Sequence, residues 1–108
     1  MKKVRITVLR RNFYSDIADT YLTDGKEVGH CPLLEEGNSF LFEGGAVMPE
    51  GFCPWAWVDI YRTVNALSAG ATYVPWNNKD YRQITCCTDG VRPVTFIVEA
   101  IDEVCDGV

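Results

Sequence analysis

Apolar and polar residues alternate along the start of the chain, with Val4, Ile6 and Val8 set against Arg5 and Thr7. A two-residue period predicts a first strand over residues 3–10 with one buried face. Leu9 breaks the alternation, as it does where both faces of a strand are covered. Ile17, Ala18, Tyr21 and Leu22 then recur at helical spacing. With Ser15 as N-cap and Asp16 and Asp19 in the first turn, they predict a short helix that Asp24-Gly25 ends. Residues 25–37 have no period and read as irregular. Phe40 and Phe42 on one face and Leu41 on the other predict a short strand over Ser39–Glu43.

The longest periodic stretch follows. Trp57, Ile60, Tyr61, Val64 and Leu67 recur at spacings of three and four, the stripe of an amphipathic helix of about four turns. Pro54 suits its first position and Gly70 its left-handed close. Cys53 then falls at the N-cap, and Asp59, Arg62 and Asn65 fall toward solvent. A second irregular stretch carries Tyr73, Pro75, Trp76, Asn77 and Asn78. The chain ends in two strand-like runs, 82–88 and 92–101, flanking Asp89-Gly90, a strong hairpin signal. A three-residue loop with Gly90 in the left-handed bulge position groups Ile84 and Cys86 with Val94, Phe96 and Val98. A two-residue loop groups them instead with Thr95 and Ile97. The first keeps apolar residues together and is the pairing expected, with Cys86 inward and Cys87 on the opposite face.

The order strand, short helix, strand, long helix, strand, strand predicts an α+β fold. It is a small antiparallel sheet of about four strands packed against one long helix, in a single domain spanning residues 1–108. Composition agrees: 47% hydrophobic and 23% charged residues are ordinary for a globular protein. A net charge of −5 argues against a nucleic-acid partner, which needs a basic face. After the lysines, Arg5, Arg10 and Arg11 interrupt any apolar run, and no stretch approaches the ~20 apolar residues of a membrane span, so neither a secretory signal nor a span is expected, and the expected location is cytoplasmic.

Five cysteines in a reducing compartment point to thiol or metal chemistry rather than to structural disulfides. Cys31 and Cys53 each precede a proline, and Cys86-Cys87 are adjacent; Cys105, in the acidic tail, is read as incidental. A thiol held at a helix N-terminus becomes a better nucleophile or metal ligand, which singles out Cys53. A site of Cys31, Cys53 and Cys86 or Cys87, with His30 as fourth ligand, suits zinc or an iron–sulfur cluster, although no C-x₂-C spacing is present. Thiol redox chemistry is the parallel reading, with Cys53 as nucleophile and Cys86 or Cys87 resolving. Arg92 stands across the hairpin, where it would favour a thiolate at Cys86, while Asp89 belongs to the turn. Trp55, Trp57, Trp76, Tyr61 and Tyr73 can fill the core or line a pocket. The alternative is therefore a non-enzymatic module that binds a ligand or partner through the tryptophan-rich helix start, as a homodimer.

Four segments carry a resemblance: Lys3 to Val8, Cys31-Pro32 with Glu36-Gly37, Pro49 to Tyr61, and Cys86 to Val94. In these the chain resembles a family of small bacterial and archaeal proteins marked by the motifs Cys-Pro-Trp-Ala-Trp and Cys-Cys-Thr-Asp-Gly-x-Arg-Pro-Val. The resemblance spans nearly the whole chain and carries no catalytic assignment. It implies that Cys31, Cys53, Cys86 and Cys87 belong to the defining motifs.

Overall fold

A computed structural model describes residues 1–106. Four strands, β1 (Lys2–Arg11), β2 (Ser39–Phe42), β3 (Arg82–Cys86) and β4 (Val94–Val104), form one antiparallel sheet in the order β2-β1-β4-β3. Helix α1 (Ser15–Tyr21) leads into a 3-10 turn, Gly25–Val28, within the stretch expected to be irregular, and α2 (Pro54–Ser68) is the long helix. The α+β architecture expected from the periodicities is the one observed.

The alternation in β1 does what it predicts. Val4, Ile6 and Val8 are buried on the inner face, level with Phe42 of β2 and with Phe96 and Val98 of β4. Helix α2 crosses that face and buries Ala56, Ile60, Val64 and Leu67. Trp57 and Tyr61 lie at the core's margin, and Trp57 packs on Phe42, Phe52 and Tyr61 with ring centres 5.2–6.2 Å apart. Both pack against the core, and neither lines the cleft described below. The helix closes as expected. Gly70 takes φ +95°, Ala71 N–H donates to Ala66 O at 2.9 Å and Gly70 N–H to Leu67 O at 3.0 Å, which satisfies two terminal carbonyls.

Several expectations are corrected. Tyr14, not Ser15, holds the N-cap position of α1 and makes no side-chain cap, and of the short helix's apolar residues only Ala18 is buried. About two turns of helix offer too little apolar face to bury more. Cys105, read as incidental, is buried, with its N–H on Met1 O at 2.8 Å.

The hairpin is the larger correction. Ile84 pairs with Ile97 and Cys86 with Thr95, on the outer face of the sheet, while Cys87 turns inward against the core. Strand β3 thus shows Gln83 and Thr85 to the inside. The cause lies in the connection. It runs from Cys87 to Pro93, and Cys87 N–H donates to Val94 O at 3.1 Å to close the ladder. Asp89 shapes it by accepting from Val91 N–H and Arg92 N–H at 2.9 and 3.0 Å, an Asx turn, and Gly90 has no positive φ. With no bulge at Gly90, the parity of β3 against β4 is the reverse of the apolar grouping.

Candidate functional site

Three segments distant in sequence meet beside the start of α2 and enclose a cleft of about 470 Å³. The helix contributes Cys53, Trp55 and Ala56; the 29–38 loop contributes Cys31, Leu33 and Leu34; the hairpin connection contributes Cys87, Asp89, Arg92 and Val94. The floor is apolar, because Leu34, Ala56 and Val94 are buried. Leu33 and Trp55 stand at the rim, 64% and 69% exposed, so two large apolar side chains flank an open mouth.

Each wall has its own anchor. The 29–38 loop is pinned to the end of β1, where Gly37 N–H donates to Val8 O at 2.9 Å and Val8 N–H to Asn38 O at 2.9 Å. Arg11 adds a charged contact, Nη1 to the carbonyl oxygen of Cys31 at 2.7 Å, which fixes the backbone bearing the thiol. The hairpin connection is pinned to α2. Asp59 Oδ2 accepts from Thr88 N–H at 2.8 Å, and its two carboxylate oxygens lie 3.0 and 3.1 Å from Thr88 Oγ1. Trp55 Nε1 donates to the same hydroxyl at 3.2 Å. Asp59 was expected in solvent; it is half-buried instead, because Thr88 arrives one helical turn above Trp55 and needs an acceptor.

Cys53 occupies the N-cap as expected, with φ −74° and ψ 119°, and makes no side-chain cap bond. Pro54 supplies no N–H, and the first turn holds no acid, so the positive end of the α2 dipole stays open beside the thiol. Cys87 is tied into the hairpin, where its Sγ accepts from Val94 N–H at 3.3 Å. All five cysteines are free thiols.

Not every predicted residue joins the site. Cys86 lies on the outer face, opposite to Cys87. Desolvation, and after it the neighbouring Cys87 and Asp59, push its thiol above the ordinary 9.0, with Thr95 pulling the other way. No thiolate is favoured there, and Arg92 is turned to Asp89 through Nε–Oδ2 at 3.1 Å, so the expected support of Cys86 by Arg92 is corrected. His30 is exposed and leans on Phe13 with ring centres 5.6 Å apart, away from the cleft lining. Trp76 is 83% exposed beside Ile84 and Ile97, outside the thiol cleft. Among the described residues, no group of three or more His, Cys, Asp and Glu side chains is placed to hold a metal ion. Of the metal-ligand set, the cleft collects Cys31, Cys53 and Cys87. Sequence reasoning missed Thr88 and Arg11; Trp55 and Asp59, four apart on one helix face, are the signal that a shared partner docks there.

Partial burial of Asp89 disfavours its charge, but the N–H groups of Arg92 and Val91 and the Arg92 guanidinium outweigh it, and the carboxyl sits below its ordinary 3.8. A carboxyl whose pKa is lower in the folded chain stabilises the fold above the unfolded value and loses that contribution as pH falls through the folded one. Asp89→Asn is therefore expected to flatten stability against pH only on the acid side of 3.8, as read by thermal melts from pH 6 to pH 2. An unchanged acid limb would remove Asp89 as the clasp of the turn.

No protein-family model, curated protein or solved structure matches this chain. Among the described residues, no helix is long and apolar enough to cross a membrane.

Proposed function

We propose that the cleft binds a small molecule and that its cysteines perform thiol–disulfide chemistry on it, in the reducing setting of the cytoplasm. One observation carries the reading: Cys31, Cys53 and Cys87, from three separate segments, line a single cleft of small-molecule size. Thiol chemistry is favoured over a closed metal centre because the donors lack the grouping that a coordination shell requires. The cysteine-bearing segments are also those in which the chain resembles the small bacterial and archaeal family. Cys53 is the attacking thiol, since it lies beside the open helix end, and Cys31 or Cys87 resolves.

The step balances with a disulfide as oxidant. The Cys53 thiolate attacks one sulfur and expels the first small thiol, and a mixed disulfide forms. A second cleft cysteine then attacks Cys53 Sγ and releases the second small thiol. The protein ends with one disulfide, and the small disulfide ends as two thiols. With 2-hydroxyethyl disulfide as probe, mass-spectrometric peptide mapping is expected to find Cys53 joined to Cys31 or Cys87. Cys53→Ser should abolish that linkage and leave Cys86 free to form only a mixed disulfide. Modification confined to exposed Cys86 would sink the reading.

A further inference from the structure

The reading of this cleft as a ligand site leaves the nature of the ligand open, and the remaining lining residues bear on it. The walls are largely apolar, and Trp55 and Leu33 expose flat and branched apolar surface at the mouth, where an occupant would cover both. The Trp55 ring is not free to swing, because its Nε1–H is held by Thr88 Oγ1. A fixed aromatic wall of this kind selects a flat body.

Two charged groups line the same space, Arg92 and its ion-pair partner Asp89, and of these only Arg92 can receive an anion. Its guanidinium is fastened from one side only, by Nε to Asp89 Oδ2, and the two terminal amino groups make no hydrogen bond among the described residues. Asp89 in turn spends its other oxygen on the N–H groups of Val91 and Arg92. This is a buttressed arginine: the carboxylate fixes the plane of the fork and leaves the outer edge, with its paired donors, for a planar anion. Lysine at the same place would be a point charge without the fork. The side chain is about a third exposed, so it reaches both the cleft and its mouth.

We infer that the cleft takes a small amphipathic anion, a flat apolar body with one carboxylate or sulfonate, the body against Trp55 and Leu33 and the anion on Arg92. The cleft is then a selector as well as a thiol site: the apolar walls admit the body, and Arg92 sets the end at which it enters, next to Cys53 and Cys87.

Two fluorescent probes of the same body separate the claims. 8-Anilinonaphthalene-1-sulfonate carries the anion, and N-phenyl-1-naphthylamine lacks it. The wild-type chain is expected to bind both, the sulfonate more tightly, with quenching of Trp55. Arg92→Gln should weaken the sulfonate about tenfold or more and leave the neutral probe unchanged. Arg92→Lys should fall between, since it keeps the charge and loses the fork. Trp55→Phe should weaken both, and either probe should slow alkylation of Cys53. Unchanged binding of the neutral probe shows that a variant has kept its cleft, so a folding defect is not mistaken for a lost anion site. Equal affinity for the two probes, or sulfonate binding indifferent to Arg92, would overturn the anion assignment and leave the cleft standing. Binding of neither probe, with no protection of Cys53, would overturn both it and the cleft reading beneath it.

Discussion

Phe96→Ala is expected to lower the free energy of unfolding by about 3–5 kcal/mol, a large fraction of the roughly 5–15 kcal/mol of an ordinary domain. Phe96 is fully buried near the start of β4, level with Val8 of β1 and Thr85 of β3. Its ring meets Phe52 at 5.4 Å, and Phe52 is itself held edge-on by Phe40 at 5.0 Å and Trp57 at 6.2 Å. A hole left by Phe96 cannot close by rotation of Phe52 without breaking those two contacts, so the cavity cost adds to the lost transfer free energy. Urea unfolding at constant slope reads the effect. The matched control is Ile84→Ala on the neighbouring strand. Ile84 is 53% exposed on the outer face, and its truncation should cost about 0.5 kcal/mol or less. A comparable loss at both positions would mean that β3 presents Ile84 to the core and that the pairing Ile84–Ile97 is wrong.

That contrast also marks where sequence reasoning succeeds and where it stops. Strands β1 and β2 and helix α2 are legible because each has one dry face, and the period of its apolar residues reports which face that is. Strand β3 is an edge strand of five residues, and its apolar residues do not report the core. Its parity is set by the connection from Cys87 to Pro93, whose shape depends on the Asp89 side chain and on the closing contacts between Cys87 and Val94. No periodicity encodes those contacts. The site is legible in its parts and not in its assembly. Cys31 and Cys53 stand out beside their prolines, and Cys86-Cys87 as a pair. Which member of the pair turns inward follows from the register alone. The anchors of the walls are long-range contacts, Arg11 to Cys31 across 20 positions and Asp59 to Thr88 across 29; the spacing of Trp55 and Asp59 marks one docking face, but periodicity names neither partner. His30 was attractive only as the one histidine; its position beside Phe13 on the surface is an ordinary one for a loop residue.

The contact between Asp59 and Thr88 predicts an effect that is modest globally and large locally. Hydrogen bonds to a carboxylate are worth about 1.5–3 kcal/mol, and partial exposure puts these at the low end. Alanine is the better helix former by about 0.5 kcal/mol, so Asp59→Ala should lower overall stability by about 1 kcal/mol. Its larger consequence falls on the hairpin connection, which keeps only the Trp55 hydrogen bond to α2 while the strands keep their ladder. Cys87 sits next to Thr88 in that connection, and its labelling proceeds through local opening. A weakening of about 1 kcal/mol there should raise the rate of Cys87 alkylation about fivefold. Cys31, held from the other side by Arg11, should label at its wild-type rate. Asp59→Asn should fall between, since one amide oxygen can still accept from Thr88 N–H. Trp55 shares the Thr88 hydroxyl, so its emission should shift in step with the labelling of Cys87. If Cys87 labels no faster in Asp59→Ala, and no faster again in Asp59→Ala with Trp55→Phe, the hairpin connection is held by its own turn alone. The two walls of the cleft would then move independently, and a ligand resting on Trp55 and Arg92 together would find no fixed site.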